Sequence, residues 1–360
     1  MKKSVLLAAF LWLLFMNGFV SAGNGSPIDL GSADKSLSLA VYGDWPYSTT
    51  LLSEAPLLLN SINSDARVRI VAHVGDIHSG KMPCTGANLD PIPGTANPGW
   101  NQGIFDIFEK FKDPVIYTPG DNEWTDCHKA NEGSSGYPLF ELTAVRNLFF
   151  ASPGYSLGGR KKAVLTQSSS YDPSFPKDSQ FVENVMWEES SVVFVTLNVP
   201  GSNNDTLAWT GGFSNPAAQA QEVSERSAAN LRWLDAAFAQ AENDHAKGIL
   251  ILLQADMWDL SALGGDGLDQ YDEFVQELAN LCNGFNGKVL LINGDSHVYE
   301  ADEPLADPTS ATGQIHGTQA VSNLKRITVE GSTAADEWLR LNINPASAEI
   351  FSWDRVQYLP

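Results

Sequence analysis

The stretch VRIVAHVGDIH, from Val68 to His78, is a run of mostly β-branched residues that ends in Gly-Asp. Such a run predicts a buried strand, because Val and Ile fit a pleated surface that is covered on both faces. The glycine lets the backbone turn sharply where the strand ends. We therefore expect Asp76 at the carboxyl end of a strand, with His78 two residues later.

Three further apolar runs end in the same dipeptide. They are LSLAVYGDW (37–45), DPVIYTPGDNEW (113–124) and KVLLINGDSHVY (288–299). These runs bring Asp44, Asp121 and Asp295 to strand ends, and His297 follows the last of them. In an open α/β sheet the loops at the carboxyl ends of the strands converge over a ligand-binding crevice. Four carboxylates at one edge would repel each other without a cation between them, so the pattern favours a divalent-metal site.

Gly-Asp also has a plainer interpretation. It is a common strand-to-helix turn, in which the aspartate only caps the next helix. One such dipeptide would carry little weight, whereas four at the ends of four strands, with His297 beside the last, favour the metal centre.

The amino-terminal 22 residues have the composition of a secretory signal peptide. Two lysines precede a long apolar run, and small residues surround Ala22. This arrangement predicts cleavage after Ala22, with a retained anchor as the alternative. No later stretch is long and apolar enough to span a bilayer. We therefore expect export to a periplasm or to the extracellular medium, with no stable membrane insertion after cleavage.

The remaining chain is strongly acidic. The full sequence of 360 residues has a formal net charge of −21, and such a surface disfavours nucleic acid as a partner. The aspartates at the strand ends are spread over most of the chain and must meet in space. We therefore expect residues 23–360 to form a single domain.

The chain has three cysteines. Cys84 and Cys127 each lie in a polar loop shortly after a Gly-Asp strand, so they are the natural disulfide pair in an exported protein. Cys282 lies in an amphipathic helix pattern and is expected to be a buried thiol. A pairing with Cys282 is the alternative.

Strand and helix patterns alternate through most of the chain. The Pro- and Gly-rich stretch 79–101 is long enough to cover a site. Short strand patterns follow residue 324, and they indicate a second sheet packed on the first.

Taken together, these motifs resemble those of the calcineurin-like metallophosphoesterase superfamily, which includes the purple acid phosphatases. The resemblance implies an α/β fold, a four-layer αββα sandwich of two sheets flanked by helices. It also implies hydrolysis of a small phosphorylated substrate, a phosphomonoester or phosphodiester, by a metal-activated water.

The resemblance also implies a ligand set. Asp44 corresponds to the first aspartate of the family and Asp76 to the one that bridges two metals. GDNE (120–123) falls where the family has GNHE, QAD (254–256) where a histidine is expected, and GDSH (294–297) on GHxH. The implied metal ligands are Asp44, Asp76, Asp121, Gln254, Asp295 and His297.

The motif GDNE departs from the family and leaves its register open. Direct alignment places Asp121 at the asparagine ligand and Asn122 at the histidine that protonates the leaving group. A shift by one residue would make Asn122 the ligand and put Glu123 in the place of the histidine. Asn122 is a candidate catalytic residue in the first of these alignments.

Most departures replace imidazole by oxygen. Gln254 and Asp295 stand where the family has histidines, and Pro46 stands where many members have another. Tyr47 corresponds only loosely to a tyrosine-bearing motif of the purple acid phosphatases. Oxygen ligands suit Mn²⁺, Mg²⁺ or Ca²⁺ better than Zn²⁺ or iron, so we expect one or two of the harder ions.

The proton donor of the family is missing. His128 follows the third Gly-Asp strand and would be held near it by a Cys127 disulfide, so it is the first candidate for that role. His78 is the second. A lone histidine is more often structural than catalytic.

The polar run after Leu197 contains Asn198, Ser202, Asn203 and Asn204, which suit hydrogen bonds to a polar substrate or simply form a turn.

Three functional interpretations follow. The first is an exported metal-dependent phosphoesterase. The second is a degenerate relative that binds a metal and a ligand or partner without turnover. The third is a calcium-stabilised surface protein, in which the carboxylates serve structure alone.

Overall fold

The computed structural model describes residues 35–84, 99–262, 267–332 and 335–359. The expected signal peptide, residues 1–22, and residues 85–98 of the expected covering loop lie outside these ranges. None of the helices in the described ranges has the length and apolar composition that a membrane crossing requires.

The elements alternate along the chain much as the sequence predicts. The strands are β1 (Leu37–Tyr42), β2 (Val68–His73), β3 (Pro114–Tyr117), β4 (Leu157–Gly158), β5 (Leu165–Thr166), β6 (Val185–Glu189), β7 (Val192–Thr196), β8 (Gly248–Leu252), β9 (Lys288–Asn293), β10 (Glu300–Asp302), β11 (Leu324–Thr328), β12 (Glu337–Ile343) and β13 (Phe351–Gln357). The helices are α1 (Thr49–Ser53), α2 (Ala55–Ser64), α3 (Trp100–Phe108), α4 (Pro138–Phe149), α5 (Gln167–Ser170), the single turn α6 (Gly201–Asp205), α7 (Pro216–Asn243) and α8 (Asp272–Gly284).

The strands form two mixed sheets. The first has the order β13-β12-β1-β2-β3-β4, and β1, β2 and β3 are parallel. The second has the order β10-β11-β9-β8-β7-β6-β5, and β11, β9, β8 and β7 are parallel. Antiparallel strands close both edges of each sheet.

The two sheets pack face to face, because successive side chains of a strand point to opposite faces. Leu39 and Val41 of β1 join Leu250 and Leu252 of β8 in a central apolar core. Ala40 of β1 points the other way, into a core with α2 and α3. A third core lies between the second sheet and the helices α7 and α8. The predicted two sheets flanked by helices are thus confirmed.

The parallel strands position the candidate site. Asp44, Asp76 and Asp121 follow β1, β2 and β3 of the first sheet, and Asp295 follows β9 of the second. All four Gly-Asp segments therefore leave the carboxyl ends of parallel strands, as the sequence predicts, three from neighbouring strands of the first sheet and one from the second sheet.

Candidate metal centre

Backbone hydrogen bonds join the loops at these strand ends. The amide of Asp44 donates to the carbonyl of Gly75 at 3.0 Å, and the amide of Trp45 donates to the carbonyl of Asp76 at 3.0 Å. The amide of Asp295 lies 3.1 Å from both carboxylate oxygens of Asp44. The first sheet is thereby tied to the second directly at the site.

The glycines of two Gly-Asp pairs are needed for this close approach. A Cβ on Gly120 would overlap the carboxylate of Asp76, and a Cβ on Gly294 would overlap that of Asp44. Each glycine thus leaves room for the carboxylate of another strand end, which gives the repeated dipeptide a steric reason.

The backbone is strained at several predicted ligands. Asp44, Asp76, Asp295 and His297 have φ angles of 48°, 60°, 75° and 67°. A left-handed conformation of a residue other than glycine costs on the order of 1–3 kcal/mol and tends to occur at functional sites. Four predicted ligands that meet at the shared edge are thus held in strained backbone conformations.

The phenol oxygen of Tyr47 lies at the centre of one group of ligands. It donates to Asp76 Oδ2 at 2.7 Å and lies 3.2 Å from Asp44 Oδ1 and 3.1 Å from His297 Nε2. His297 Nε2 is also 3.3 Å from Asp44 Oδ1. Burial raises the pKa of Tyr47, and the carboxylates of Asp76 and Asp44 raise it further, so the phenol keeps its proton in the absence of a cation.

This group fits a divalent ion. Asp44, Asp76 and His297 each offer a ligand atom, and these atoms all lie within 4.8 Å of one another. Ions that bind oxygen at about 2.1 Å in octahedral geometry keep adjacent ligand atoms about 3 Å apart, which matches the distances around Tyr47. Burial raises the pKa of Asp76, and the neighbouring carboxylates of Asp121 and Glu123 raise it further. A cation among these groups would stabilise their charged forms.

Asn122 contacts the same group through its side-chain amide. Its Nδ2 lies 2.9 Å from Asp76 Oδ2, 2.9 Å from the oxygen of Tyr47 and 3.0 Å from the carbonyl of His78. An amide is not a proton donor of useful acidity, so in this position Asn122 orients the phenol and the carboxylate.

The carboxylate of Glu123 contacts backbone amides and a tyrosine hydroxyl, not the ligand atoms of this group. Its Oε1 accepts from the hydroxyl of Tyr117 at 2.6 Å and from the amides of Gly120 and Asp76 at 2.7 and 3.2 Å. Glu123 is fully buried, and this burial raises its pKa to about 7. These hydrogen bonds hold the backbone at the ends of β2 and β3 together.

Asp121, Gln254 and Asp295 lie farther along the same edge. Gln254 Nε2 donates to Asp121 Oδ1 at 3.1 Å, and Gln254 Oε1 accepts from the amide of Gly201. Asp295 Oδ2 accepts from the amide of Asp256 at 3.0 Å. The structure thus places all six predicted ligands at one edge, with Asp44, Asp76 and His297 around Tyr47 and the others beside them.

The two histidine candidates are both buried. Nδ1 of His128 accepts from the amide of Thr210 at 3.0 Å, and burial lowers the pKa of this ring to about 4. No hydrogen bond joins His128 to a predicted ligand among the residues that the structure describes. Nδ1 of His78 lies 3.2 Å from the carbonyl of Ser79, and its Nε2 is buried without a hydrogen-bond partner in the part of the chain that the structure describes. Burial lowers the pKa of His78 to about 4 as well.

Cys84 and Cys127 form the expected disulfide. Their sulfur atoms lie 3.2 and 3.8 Å from the carbonyl oxygen of Asn122, so the crosslink packs directly under the third strand end. Cys282 is a buried free thiol, as predicted.

Sequence reasoning missed two residues of this site. Tyr47 corresponds only loosely to a known motif, and the signal that could have identified it is its position three residues after Asp44. Lys129 has no recognisable signal in the sequence, because a lysine beside a candidate histidine forms no pattern of its own. Its ammonium lies 2.5 Å from Asp126 Oδ2 and 2.9 Å from Ser202 Oγ.

No protein-family model and no curated protein matches the chain. Among solved structures, it is similar to GAP50, the anchor in the inner membrane complex of Plasmodium, at 12% identity over 89% of both chains with a TM-score of 0.46. It is also similar to a 5'-nucleotidase from Candida albicans, at 13% identity and a TM-score of 0.41, and to the NAD nucleotidase of Haemophilus influenzae, at 13% identity and a TM-score of 0.35. These two similarities cover 89% of this chain but only 51% and 55% of the nucleotidases.

Proposed function

We propose that this chain is an exported, divalent-metal-dependent phosphoesterase, a divergent member of the calcineurin-like metallophosphoesterase superfamily related to the purple acid phosphatases. Its mature form is proposed to be a single domain, residues 23–360, acting on a small phosphomonoester or phosphodiester. The observation that carries the proposal is the convergence of Asp44, Asp76, Tyr47 and His297 at the carboxyl ends of β1, β2 and β9.

In this proposal Asp44, Asp76 and His297 hold the ion, with Tyr47 among them. When bound, a divalent ion activates a water and neutralises negative charge on a phosphoryl group. Asn122 fixes the orientation of Tyr47 and Asp76 through its amide. Mn²⁺, Mg²⁺ or Ca²⁺ suits a set dominated by oxygen, and Zn²⁺ or iron is the alternative.

The test is hydrolysis of a panel of phosphomonoesters and phosphodiesters by the mature protein, after chelation and after addition of Mn²⁺ or Mg²⁺. Asp76→Asn should abolish turnover, because it removes a charged ligand. Asp172→Asn is the matched control, since Asp172 is an exposed aspartate whose carboxylate accepts from the nearby amide of Ser174 and is not among the predicted ligands. Turnover that persists in Asp76→Asn would contradict the proposal.

The proton donor has its own test. His128 and His78 stay candidates, and each can be replaced by Gln. A general acid matters for a poor leaving group and little for a good one. We expect the variant of the true donor to lose about 10²-fold in kcat on an alkyl phosphate but little on a nitrophenyl phosphate. Equal losses on both esters would exclude that histidine as the donor.

A binding function without turnover is the second candidate. It is favoured by Asp121 and Gln254, which hydrogen-bond to each other, and by two histidine candidates whose low pKa leaves them neutral at pH 7. Folded protein that binds Mn²⁺ but hydrolyses no ester of the panel would support this second function.

Export is part of the proposal. Mass spectrometry of protein recovered outside the cell should give an amino terminus at Gly23. An intact amino terminus on a membrane-bound product would support a retained anchor instead.

A further inference from the structure

Lys129 places a positive charge inside the acidic edge. Its Nζ lies 2.5 Å from Asp126 Oδ2 and 2.9 Å from Ser202 Oγ, and its side chain is only 24% exposed. The side chain of Asp126 is itself only 9% exposed. Because the Lys129 ammonium is largely buried and bonded to two polar groups, it is a positive charge at a fixed position, unlike the mobile ammonium of a surface lysine.

The hydroxyl of Ser202 extends this contact to a predicted ligand. Ser202 Oγ lies 2.6 Å from Asp121 Oδ2 and 3.0 Å from Asp126 Oδ2. It belongs to α6, a left-handed turn in which Ser202, Asn203 and Asn204 have φ angles of 49°, 58° and 56°. The strained turn brings this hydroxyl between the two carboxylates.

Gln254 occupies the other oxygen of Asp121. The backbone amide of Gly201 donates to Gln254 Oε1. This contact orients the side-chain amide so that Gln254 Nε2 lies 3.1 Å from Asp121 Oδ1. An amide nitrogen has no lone pair to offer a metal. Both carboxylate oxygens of Asp121 are therefore satisfied by donors of the chain itself.

The group around Tyr47 differs from this arrangement. Asp44, Asp76 and His297 bring three ligand atoms together there. At the Asp121 end, the Ser202 hydroxyl contacts the carboxylates of both Asp121 and Asp126, the Lys129 ammonium pairs with Asp126, and the Gln254 amide donates to Asp121. One end of the edge thus fits a divalent ion, while the other already contains its own cation.

We propose that the site takes one divalent ion, and that Lys129, with Ser202 and Gln254, replaces a second. The inference rests on the proposed metal-dependent function and concerns its stoichiometry. An ammonium neutralises one charge and donates hydrogen bonds, but it does not act as a Lewis acid. Part of the negative charge at the Asp121 end would thus be neutralised by the chain itself, and metal chemistry would be confined to the Asp44 end.

The test counts Mn²⁺ ions bound to the chelator-treated protein, by equilibrium dialysis and by electron paramagnetic resonance, which distinguishes an isolated ion from a spin-coupled pair. We expect one uncoupled ion per chain in the wild type. Lys129→Met removes the ammonium and should admit a second, coupled ion. Lys177→Met is the matched control, because Lys177 is a 63% exposed lysine that pairs with Glu225.

Two coupled ions in the wild type would overturn the inference, and that count needs no variant to fold. A single ion in well-folded Lys129→Met, as judged by circular dichroism, would overturn the assignment to Lys129. The inference and the proposed function fail separately. One bound ion without turnover would contradict the proposed phosphoesterase activity but agree with the proposed stoichiometry. Two bound ions with turnover would support the activity and contradict the stoichiometry.

Discussion

At the scale of single residues, Tyr47 links the site together. Its hydroxyl contacts an aspartate from each of two strand ends, the amide of Asn122 and the ring of His297. A buried phenol hydrogen-bonds to these groups without adding a net charge, and its distances from them match the spacing between adjacent ligand atoms of an octahedral ion. One side chain therefore serves the metal-free protein and can take part in the metal-bound one.

Tyr47→Phe should weaken Mn²⁺ binding by about 10–100-fold, the effect typical of losing a group that orients metal ligands. The measurement is isothermal titration calorimetry. Tyr42→Phe is the control, because Tyr42 is buried and its hydroxyl has no hydrogen-bond partner among the described residues. Equal affinities of Tyr47→Phe and the wild type would show that the phenol has no part in metal binding.

The buried carboxyl of Glu141, in α4, should make the free energy of unfolding depend on pH. Burial raises its pKa to about 7 from 4.5, so folding favours the protonated form. The stability that this group contributes is fully present below about pH 4.5 and is lost as the pH rises through about 7.

Glu141→Gln removes this titration. Between pH 5 and pH 8, the wild type should lose on the order of 1 kcal/mol in free energy of unfolding relative to the variant, since solvent screens the group in part. Urea unfolding at both pH values measures the difference, with exposed Glu273→Gln as the control. A constant difference between wild type and Glu141→Gln would refute the assignment.

At the scale of elements, the loop after β3 depends on a crosslink. The Cys84–Cys127 disulfide closes a loop of 43 residues and packs against the carbonyl of Asn122. Loop closure of this length corresponds to about 4 kcal/mol in the chain-entropy model. The crosslink therefore stabilises the part of the chain that carries Asp121 and Asn122.

Replacing both Cys84 and Cys127 by Ser should lower the free energy of unfolding by about 4 kcal/mol, as measured by urea denaturation. Cys282→Ala is the matched control, because Cys282 is an equally buried cysteine outside the disulfide. A double variant no less stable than Cys282→Ala would contradict the expected role of the crosslink.

At the scale of the whole molecule, the site joins the two sheets. Asp44 and Asp76 come from the first sheet and His297 follows β9 of the second. An ion held by all three would act as a clip across the sandwich. The chain also carries a net charge of −21, so removing charge repulsion at this edge favours the folded state.

Mn²⁺ at about one hundred times its dissociation constant should therefore raise the free energy of unfolding by about 2.7 kcal/mol. Thermal melts with and without the ion measure the effect, and a chelator should reverse it. Asp76→Asn should lose the stabilisation while Asp172→Asn keeps it. Equal stabilisation of both variants would place the ion elsewhere in the molecule.

The sequence by itself determined the elements and the edge at which the site lies. Runs of β-branched residues that end in Gly-Asp specify buried strands and their ends through local sterics and burial, which act over a few residues. The amphipathic period of α8, which contains Cys282, is equally local. The two sheets were predictable from the strand patterns after residue 324 and from the family resemblance. The disulfide was predictable from the polar loops that contain Cys84 and Cys127.

Only the tertiary structure decided which polar groups meet. Tyr47 and His297 are 250 residues apart in sequence, and Gln254 and Asp121 are 133 apart. Their contacts depend on how two sheets stack and on left-handed backbone at α6, which no local pattern specifies. Lys129 received its role in the same way, because a lysine becomes an internal cation only where folding surrounds it with carboxylates.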